Sequence, residues 1–513
     1  MVKDYIIALS LANIVFLRTW VNLFYIDEKY TYFMQDFPGI TSYLAIILNV
    51  VCLSVVLFFI IRLTKRFYNN VFINSGALLL ILLLIMLPLY FLGEQYIKNI
   101  LTSLIMNFGE TRSLVFIVSI GMVIALYMFY RYKLVLQILL IIALVTSPFV
   151  IVTFGQTVWA LAHIDKKDSY LIRTSNQLGH KSSPRVVWLI FDEMDARLSF
   201  FERPSTVRMP EFDQLSKESV SAVHAFPPNG ETLLSLPSLL TGKLVAEAKN
   251  IGYDELLIRF DDAEANVDWK LQSNVFSIAE NMGINSAVVG WYHPYSRIVG
   301  NHVGYSSWYQ GGIYSDIVVR DTIYENMCEQ IKILVPFISR EQHIEAYQNV
   351  LNDAKRIVTS NNFQFIFVHI PVPHAPFIYD QDKESFTMMA DPIKGYLAQL
   401  NLADKTLGEL RSGMEEAGVW ENTTLIISSD HWWRKSEKFD GKIDHRVPFI
   451  VRMSGQNQGI TYGQPFNTVL THDLVLAILK GECVSNQGVV NWLDAHRTIG
   501  ESPYYNKDTG EYD

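Results

Sequence analysis

The sequence predicts an α/β protein in two parts: an N-terminal bundle of about five transmembrane helices, then an αβα sandwich with a mostly parallel sheet. Two observations predict this. Long apolar runs fill the chain up to residue 162, whereas beyond it short β-branched runs alternate with helix-like stretches. In addition, half of the 513 residues are hydrophobic and only 18% are charged, which is unusual for a purely soluble protein.

The apolar runs are long enough to cross a bilayer, which takes about 20 residues of helix. Buried helices of a soluble core do not account for them, because a stretch such as "SGALLLILLLIMLPLYFL" is apolar on every face. The first run contains Arg18, which a membrane span tolerates where the side chain faces the bundle or snorkels. The run has full membrane length and no small-residue cleavage site, so no cleavable signal peptide is expected. The predicted spans lie near 5–26, 42–62, 71–93, 113–130 and 134–162.

The charges of the connecting loops alternate along the bundle. Lys and Arg dominate the second and fourth loops, whereas acidic residues outnumber them in the first and third. By the positive-inside rule, the N-terminus is expected in the cytoplasm and everything after residue 162 outside it. The sequence therefore predicts three regions: a membrane domain at 1–162, a linker at 163–184 and an extracytoplasmic domain at 185–513.

The outer part alternates predicted strands with helices near 344–359 and 394–417, which is typical of a parallel sheet. It carries a net charge of −13, because residues 1–162 hold 10 of the 42 basic residues and only 6 of the 51 acidic ones. Nucleic-acid binding is therefore not expected. Cys328 and Cys483 either pair in an oxidising compartment or remain free buried thiols. The predicted strands are "RVVWLIF" (185–191), "NSAVVGWY" (285–292), "FQFIFVHI" (363–370), "TTLIISSD" (423–430) and "VPFIVRM" (447–453).

Metal-binding side chains follow several of these strands, at the sheet edge where α/β active sites lie. Asp192 and Glu193 follow the first, and Asp430 and His431 follow the fourth. Each alone is equally well explained as a helix cap or a solvated loop residue. Two carboxylates, an imidazole and a hydroxyl together form a mixed oxygen and nitrogen site for one divalent ion, Zn²⁺ or Mn²⁺.

The stretch "PPNGETLLSLPSLLTG" (227–242) offers three hydroxyls, Thr232, Ser235 and Ser238, at a predicted helix start. Together with the strand-end residues it resembles the alkaline-phosphatase/sulfatase superfamily, in particular bacterial phosphoethanolamine transferases and lipoteichoic-acid synthases. In the transferases the nucleophilic Thr stands five residues before a Pro. In sulfatases the nucleophile stands ten residues before the Gly of Leu-Thr-Gly. Counted from Pro237 and from Gly242, both spacings select Thr232.

The resemblance implies a role for each matching position. Asp192 (with Glu193 as rival), Thr232, Asp430 and His431 would hold the metal, and Thr232 would be the nucleophile. In "HIPVPHAP" (369–376), His374 matches a proton-donating or substrate-contacting histidine. His369 would contact substrate or be a core residue. Three further histidines are expected at the site. His445 would be an active-site residue, and His293 and His302 would lie in an aromatic loop that lines the substrate pocket.

Two departures from the family pattern refine the chemistry. The formylglycine motif Cys/Ser-x-Pro-x-Arg is absent, since 232–236 read T-L-L-S-L, and Ile370 replaces the Asp of two-metal phosphodiesterases. The resemblance therefore implies a single-metal phosphotransferase. Its donor would be a membrane phospholipid carrying phosphoethanolamine or phosphoglycerol, and its acceptor an envelope glycan or glycolipid. The protein would be integral to the bacterial inner membrane. A water-using hydrolase is the alternative, and an inactive scaffold is the least favoured.

Overall fold

The computed structural model describes two compact units that exchange segments of the chain. The first contains Met1–Ile26, Asp36–Lys167 and Asp316–Pro336, and the second contains Asp27–Gln35, Asp168–Ser315 and Phe337–Asp513. The residues described are 1–26, 28–108, 119, 121–123, 127, 130–164, 172–174, 184–311, 318–334, 338–391, 393–497, 505–506 and 511–512.

The first unit is helical, and its helices fit the predicted membrane spans. Ile40–Arg66 and Val71–Gly93 are each long and apolar enough to cross a membrane. Two further pairs bend by 61° and 42° at a short break and would each make one span, giving up to four in the part described. The segment predicted at 113–130 lies mostly outside the described residues. The helices are Val2–Val15, Leu17–Phe24, Ile40–Arg66, Val71–Phe108, Tyr132–Val145, Pro148–Ala162 and Ile323–Lys332.

The helix Ile323–Lys332 belongs to the first unit although the chain around it belongs to the second. Polar side chains attach it to Ile40–Arg66: Asn49 Nδ2 donates to Gln330 Oε1 at 3.1 Å, and Ser42 Oγ donates to Asn326 Oδ1 at 3.2 Å. Such side-chain bonds hold helices together where apolar packing alone gives little specificity.

The second unit is an αβα sandwich around a nine-stranded sheet of order β1-β9-β8-β10-β2-β13-β14-β3-β15. The predicted mostly parallel sheet is confirmed: the five adjacent strands β9, β8, β10, β2 and β13 run parallel to one another. At the two sides of this block, β1 is antiparallel to β9, and β14 is antiparallel to both β13 and β3. The strands of the described residues are β1 (Ile172–Thr174), β2 (Arg185–Phe191), β3 (Val220–Ala222), β4 (Ala225–Phe226), β5 (Val245–Gly252), β6 (Glu255–Phe260), β7 (Val267–Asp268), β8 (Ser286–Trp291), β9 (Tyr305–Tyr309), β10 (Phe365–Ile370), β11 (Tyr379–Asp380), β12 (Ser385–Phe386), β13 (Thr423–Ser428), β14 (Phe449–Arg452), β15 (Ile460–Tyr462), β16 (Phe466–Asn467), β17 (Tyr505–Asn506) and β18 (Glu511–Tyr512).

The central strand β2 is buried along its whole length, because helices cover both faces of the sheet. Its side chains alternate between two cores, with Val186, Trp188 and Ile190 in one and Val187, Leu189 and Phe191 in the other. The first core includes residues of the helices Thr232–Thr241, Val275–Asn281 and Thr471–Leu479, and the second those of Pro210–Glu218, Ile338–Val358 and Lys394–Glu416.

This arrangement places the carboxyl ends of β10, β2 and β13 side by side, since the three strands are adjacent and parallel. The residues that follow them are therefore brought to one edge of the sheet. All three cysteines are free thiols. The remaining helices of the second unit are Glu28–Thr31, Tyr295–Ile298, Glu437–Asp440 and Asn486–His496, with a π-helical turn at Arg197–Phe201.

Candidate active site

Two carboxylates and one imidazole converge at the ends of β2 and β13. Asp192, Asp430 and His431 are fully buried, and one ligand atom from each lies within 4.8 Å of the others. We call these three residues the acid–histidine site. Asp192 reaches it from the end of β2, and the other two from the end of β13, as the parallel pairing of the two strands requires.

The acid–histidine site has the geometry that a divalent ion needs. Asp192 Oδ1 and Asp430 Oδ2 are buried without a hydrogen-bond donor among the described residues, and they lie 3.7 and 3.6 Å from His431 Nε2. In a tetrahedral site with bonds of about 2.1 Å, ligand atoms are roughly 3.4 Å apart. Because two such buried oxygens are costly without a cation, the residues fit a bound metal.

Hydrogen bonds fix the orientation of His431. Its Nδ1 lies 2.8 Å from the carbonyl oxygen of Trp432, which can only accept, so Nδ1 carries a proton and Nε2 is the nitrogen that faces the site. Burial alone would lower the pKa of His431, but the neighbouring carboxylates, Asp430 first, raise it above its ordinary value. The imidazole is therefore held where it can serve as a ligand.

His369 supports Asp192 from β10. Its Nε2 donates to Asp192 Oδ2 at 3.1 Å, and its Nδ1 bonds the Tyr295 hydroxyl at 2.9 Å. Burial opposes ionisation of Asp192, yet the charge of His374 and the bond from His369 lower the pKa of the carboxyl overall. His369 thus orients the carboxylate and leaves its other oxygen facing the metal position.

Thr232 is the one hydroxyl of "TLLSLPS" that faces this site. Its Oγ1 lies 3.3 Å from His431 Nε2. Ser235 Oγ instead donates to Asn229 O at 2.8 Å, and Ser238 Oγ donates to Leu234 O at 2.7 Å. Two of the three hydroxyls therefore serve the turn and the helix.

The sequence around Thr232 explains its position. Thr232 is the first residue of the helix Thr232–Thr241, so the positive end of the helix dipole falls beside its hydroxyl. The helix ends at Gly242, which adopts φ +71°, a conformation that favours glycine. Before the helix, a Cβ at Gly230 would come within 2.7 Å of the Trp432 ring, so glycine lets this turn approach the residue after His431.

His374 and Glu193 lie beside the acid–histidine site. His374 Nε2 is 3.9 Å from Glu193 Oε2, and its ring centroid is 6.4 Å from that of His431. Its side chain is 15% exposed, whereas the site itself is closed to solvent. His374 thus lies between the buried acid–histidine site and the surface.

Glu193 holds an unusual backbone conformation, φ +64°, which is rare for a residue with a side chain. Its amide donates to Asp430 Oδ1 at 3.1 Å, and its carboxylate lies 3.6 Å from Arg434 Nε. The carboxylate that lies with Asp430 and His431 is that of Asp192, while Glu193 faces His374 and Arg434. Arg434 is not among the predicted site residues, although it stands only three positions after His431 in the sequence.

The remaining predicted histidines differ in their surroundings. His293 is fully buried, bonding the Tyr32 hydroxyl and the carbonyl oxygen of Thr232, and burial lowers its pKa to about 3. His445 is partly buried and packs edge-on against Trp432, with ring centroids 4.5 Å apart. His302 Nδ1 lies within hydrogen-bond distance of Glu280 Oε2, at 2.7 Å. Thus His293 lies directly behind Thr232, and His445 beside the residue that follows His431.

Comparison with known proteins gives a family match over residues 184–480, to the model described as "Sulfatase". The chain is 22% identical over 336 residues to "Ulvan-active sulfatase" of Formosa agariphila, covering 58% of this chain and 62% of that protein. It is 21% identical over 261 residues to "Lipoteichoic acid synthase 1" of Bacillus subtilis, covering 45% of this chain and 38% of that protein. The matches thus span less than two thirds of either relative.

Among solved structures, the crystal structure of Ps i-CgsB aligns with a TM-score of 0.45 and 13% identity, covering 63% of this chain and 79% of that one.

Proposed function

The chain belongs to the sulfatase family, as its strand-end motifs predicted, and on that premise we propose that it is a metal-dependent phosphotransferase with Thr232 as nucleophile. The observation that carries the proposal is the 3.3 Å contact of Thr232 Oγ1 with His431 Nε2, beside two buried, donor-free carboxylate oxygens. A threonine at this position cannot form the formylglycine on which sulfatases of the Cys/Ser-x-Pro-x-Arg type depend.

The metal would be held by Asp192, Asp430 and His431, with the Thr232 oxygen beside it. A divalent ion bound there would lower the pKa of the Thr232 hydroxyl and polarise a phosphoryl oxygen. The amino end of the helix Thr232–Thr241 adds positive potential where the phosphate would lie.

The reaction would proceed in two displacements. Thr232 Oγ1, after its hydroxyl proton has passed to bulk water, forms a bond to phosphorus, and the bond from phosphorus to the departing alcohol oxygen breaks. His374 gives that oxygen a proton and, in the second step, takes one from the incoming alcohol. The acceptor then carries the phosphorus group and Thr232 is regenerated. His445 would contact the substrate at the rim, near Trp432.

We infer the substrates from the membrane helices and from the relative named as a lipoteichoic acid synthase. The donor would be a phospholipid bearing phosphoethanolamine or phosphoglycerol, and the acceptor an envelope glycan or glycolipid. A tethered enzyme of the bacterial inner membrane, with its second unit outside the cytoplasm, would meet both at the membrane surface.

A hydrolase is the second candidate, because one relative is named as an ulvan-active sulfatase. The same residues would then pass the phosphorus or sulfur group to water. His374 would take a proton from water instead of from an alcohol, so the site chemistry is otherwise unchanged.

The test uses the full chain loaded with Zn²⁺ or Mn²⁺. The donor is phosphatidylethanolamine or phosphatidylglycerol labelled in the head group, and the acceptor is glucosyl-diacylglycerol. Label on the glycolipid supports transfer. Free labelled head group without labelled glycolipid supports the hydrolase. Absence of both products from the metal-loaded protein contradicts a phospholipid donor. Thr241→Ala is the matched control for Thr232→Ala, since it makes the same change at the other end of the same helix.

A further inference from the structure

Residues 28–35 form part of the second unit although the chain on both sides of them belongs to the first. Tyr32 is fully buried, Phe33 is 6% exposed, and both lie in the core on one face of the large sheet. These residues follow the first predicted membrane span and precede the second. A short segment flanked by membrane helices therefore supplies core residues to the catalytic unit.

Arg297 anchors this segment through its backbone. Its Nη2 donates to the carbonyl oxygens of Met34 and Gln35, at 2.5 and 2.8 Å. The Gln35 side chain in turn donates to Trp308 O at 2.9 Å. A buried guanidinium needs such acceptors, so Arg297 and the segment depend on one another.

From this anchored position Tyr32 reaches the residue behind the nucleophile. The Tyr32 hydroxyl lies 2.9 Å from His293 Nδ1, and His293 Nε2 lies 3.2 Å from the carbonyl oxygen of Thr232. All three residues are at most 5% exposed. The aromatic rings of Tyr32 and Trp269 pack edge-on against the imidazole and leave it little room to turn.

The directions of these hydrogen bonds follow from the groups involved. A carbonyl oxygen only accepts, so His293 Nε2 carries a proton and donates to Thr232. The described contacts of His293 include no carboxylate, and a buried imidazole without one is neutral. Nδ1 therefore accepts, and the Tyr32 hydroxyl donates. The Tyr32 hydroxyl thus donates to His293, and His293 donates to the carbonyl oxygen of Thr232. We call these two successive hydrogen bonds the relay.

We propose that Tyr32 is a positioning residue for the nucleophile, and that the segment 28–35 completes the active site of the second unit. The hydroxyl of Tyr32 selects the His293 tautomer that donates to Thr232, and this bond fixes the first residue of the helix Thr232–Thr241. Thr232 Oγ1 is thereby kept facing His431. The proposal rests on Thr232 being the nucleophile.

The experiment compares Tyr32→Phe with Tyr30→Phe in the full metal-loaded chain. Both remove one hydroxyl from the same segment, but Tyr30 is 39% exposed and Tyr32 is buried. Turnover is measured on head-group-labelled phosphatidylglycerol and on bis-p-nitrophenyl phosphate. Tyr32→Phe is expected to lower kcat about tenfold with KM changed by less than about twofold, because small misplacements of reacting groups cost rate. Tyr30→Phe should change neither.

A second measurement does not depend on turnover. In protein labelled with ¹⁵N-histidine, the His293 signal, assigned by its loss in His293→Gln, should report the Nε2–H tautomer in the wild type and a tautomer mixture in Tyr32→Phe. An unchanged kcat or an unchanged tautomer in Tyr32→Phe overturns the proposal. If the wild type turns over neither substrate, the proposed function fails, whereas the His293 spectrum still tests the relay.

Discussion

Two acidic clusters of the second unit use their carboxylates in opposite ways. In the acid–histidine site, one oxygen of Asp192 and one of Asp430 have no hydrogen-bond donor among the described residues. The second cluster, which we call the Asp353 cluster, comprises Asp353, Tyr305, Ser307, Tyr309 and Arg356. There, three hydroxyls each lie 2.7 Å from Asp353 Oδ2, and Arg356 donates to Oδ1 at 3.1 Å.

The hydrogen bonds indicate that the Asp353 cluster stabilises the fold. Tyr305, Ser307 and Tyr309 stand at alternate positions of β9, so the strand itself lines up three donors for one oxygen. Burial opposes ionisation of Asp353, but these hydrogen bonds lower its pKa overall. The acid–histidine site is buried more deeply, yet one oxygen of each of its two carboxylates has no donor among the described residues. Carboxylate oxygens with hydrogen-bond donors stabilise the fold, whereas buried oxygens without donors suit a bound cation.

The largest expected effect comes from removing a carboxylate of the acid–histidine site. Asp430→Ala should abolish binding of the divalent ion and lower turnover by about 10³-fold or more, because the metal activates the nucleophile. The thermal midpoint of the metal-free variant should lie at or below that of metal-free wild type, because the buried Glu193 amide loses its acceptor, Asp430 Oδ1. Metal content by mass spectrometry and a thermal melt measure both. A wild-type protein that binds no divalent ion would contradict the interpretation of the acid–histidine site as a metal site.

His374 lies beside the acid–histidine site and is the proposed general acid. His374→Gln should lower turnover of a phospholipid about 10²- to 10³-fold, because the departing alkoxide then lacks a proton donor. The loss should be much smaller with bis-p-nitrophenyl phosphate, whose leaving group needs no proton. Metal content should stay at the wild-type value. Equal losses on both substrates would argue against His374 as the general acid.

The smallest effect on catalysis is expected in the Asp353 cluster. Asp353→Asn replaces an acceptor oxygen by a donor facing three hydroxyls and should lower the free energy of unfolding by about 2 kcal/mol, with turnover retained below the melting temperature. The pKa of Asp353 is lowered on folding, so its contribution is complete above the unfolded pKa of about 3.9 and is lost as the pH falls through the folded value. Melts should therefore differ at pH 7 and converge towards pH 3. Lost turnover in the folded variant would contradict a purely structural role.

Much of this fold could be predicted from local patterns. The predicted strand 185–191 is β2, and 363–370 and 423–430 contain β10 and β13, because apolar β-branched runs suit a sheet buried on both faces. Adjacent parallel strands then bring their following residues together. That is why Asp192, Asp430 and His431 could be named from the sequence.

The parts that could not be predicted depend on contacts between distant residues. Tyr32 and His293 are 261 positions apart, and no periodicity links them. The assignment of 28–35 to the second unit and of Ile323–Lys332 to the first likewise depends on tertiary packing. Nothing in the helix sequence distinguishes Asp353, since the three hydroxyls that bond it lie on β9.

The most direct test is to trap the covalent intermediate. Metal-loaded full-length protein is mixed with phosphatidylethanolamine, quenched in acid, digested and analysed by mass spectrometry. A phosphoethanolamine adduct is expected on Thr232, present in Thr241→Ala and absent in Thr232→Ala. An adduct on Ser235 or Ser238, or full turnover by Thr232→Ala, would contradict Thr232 as the nucleophile.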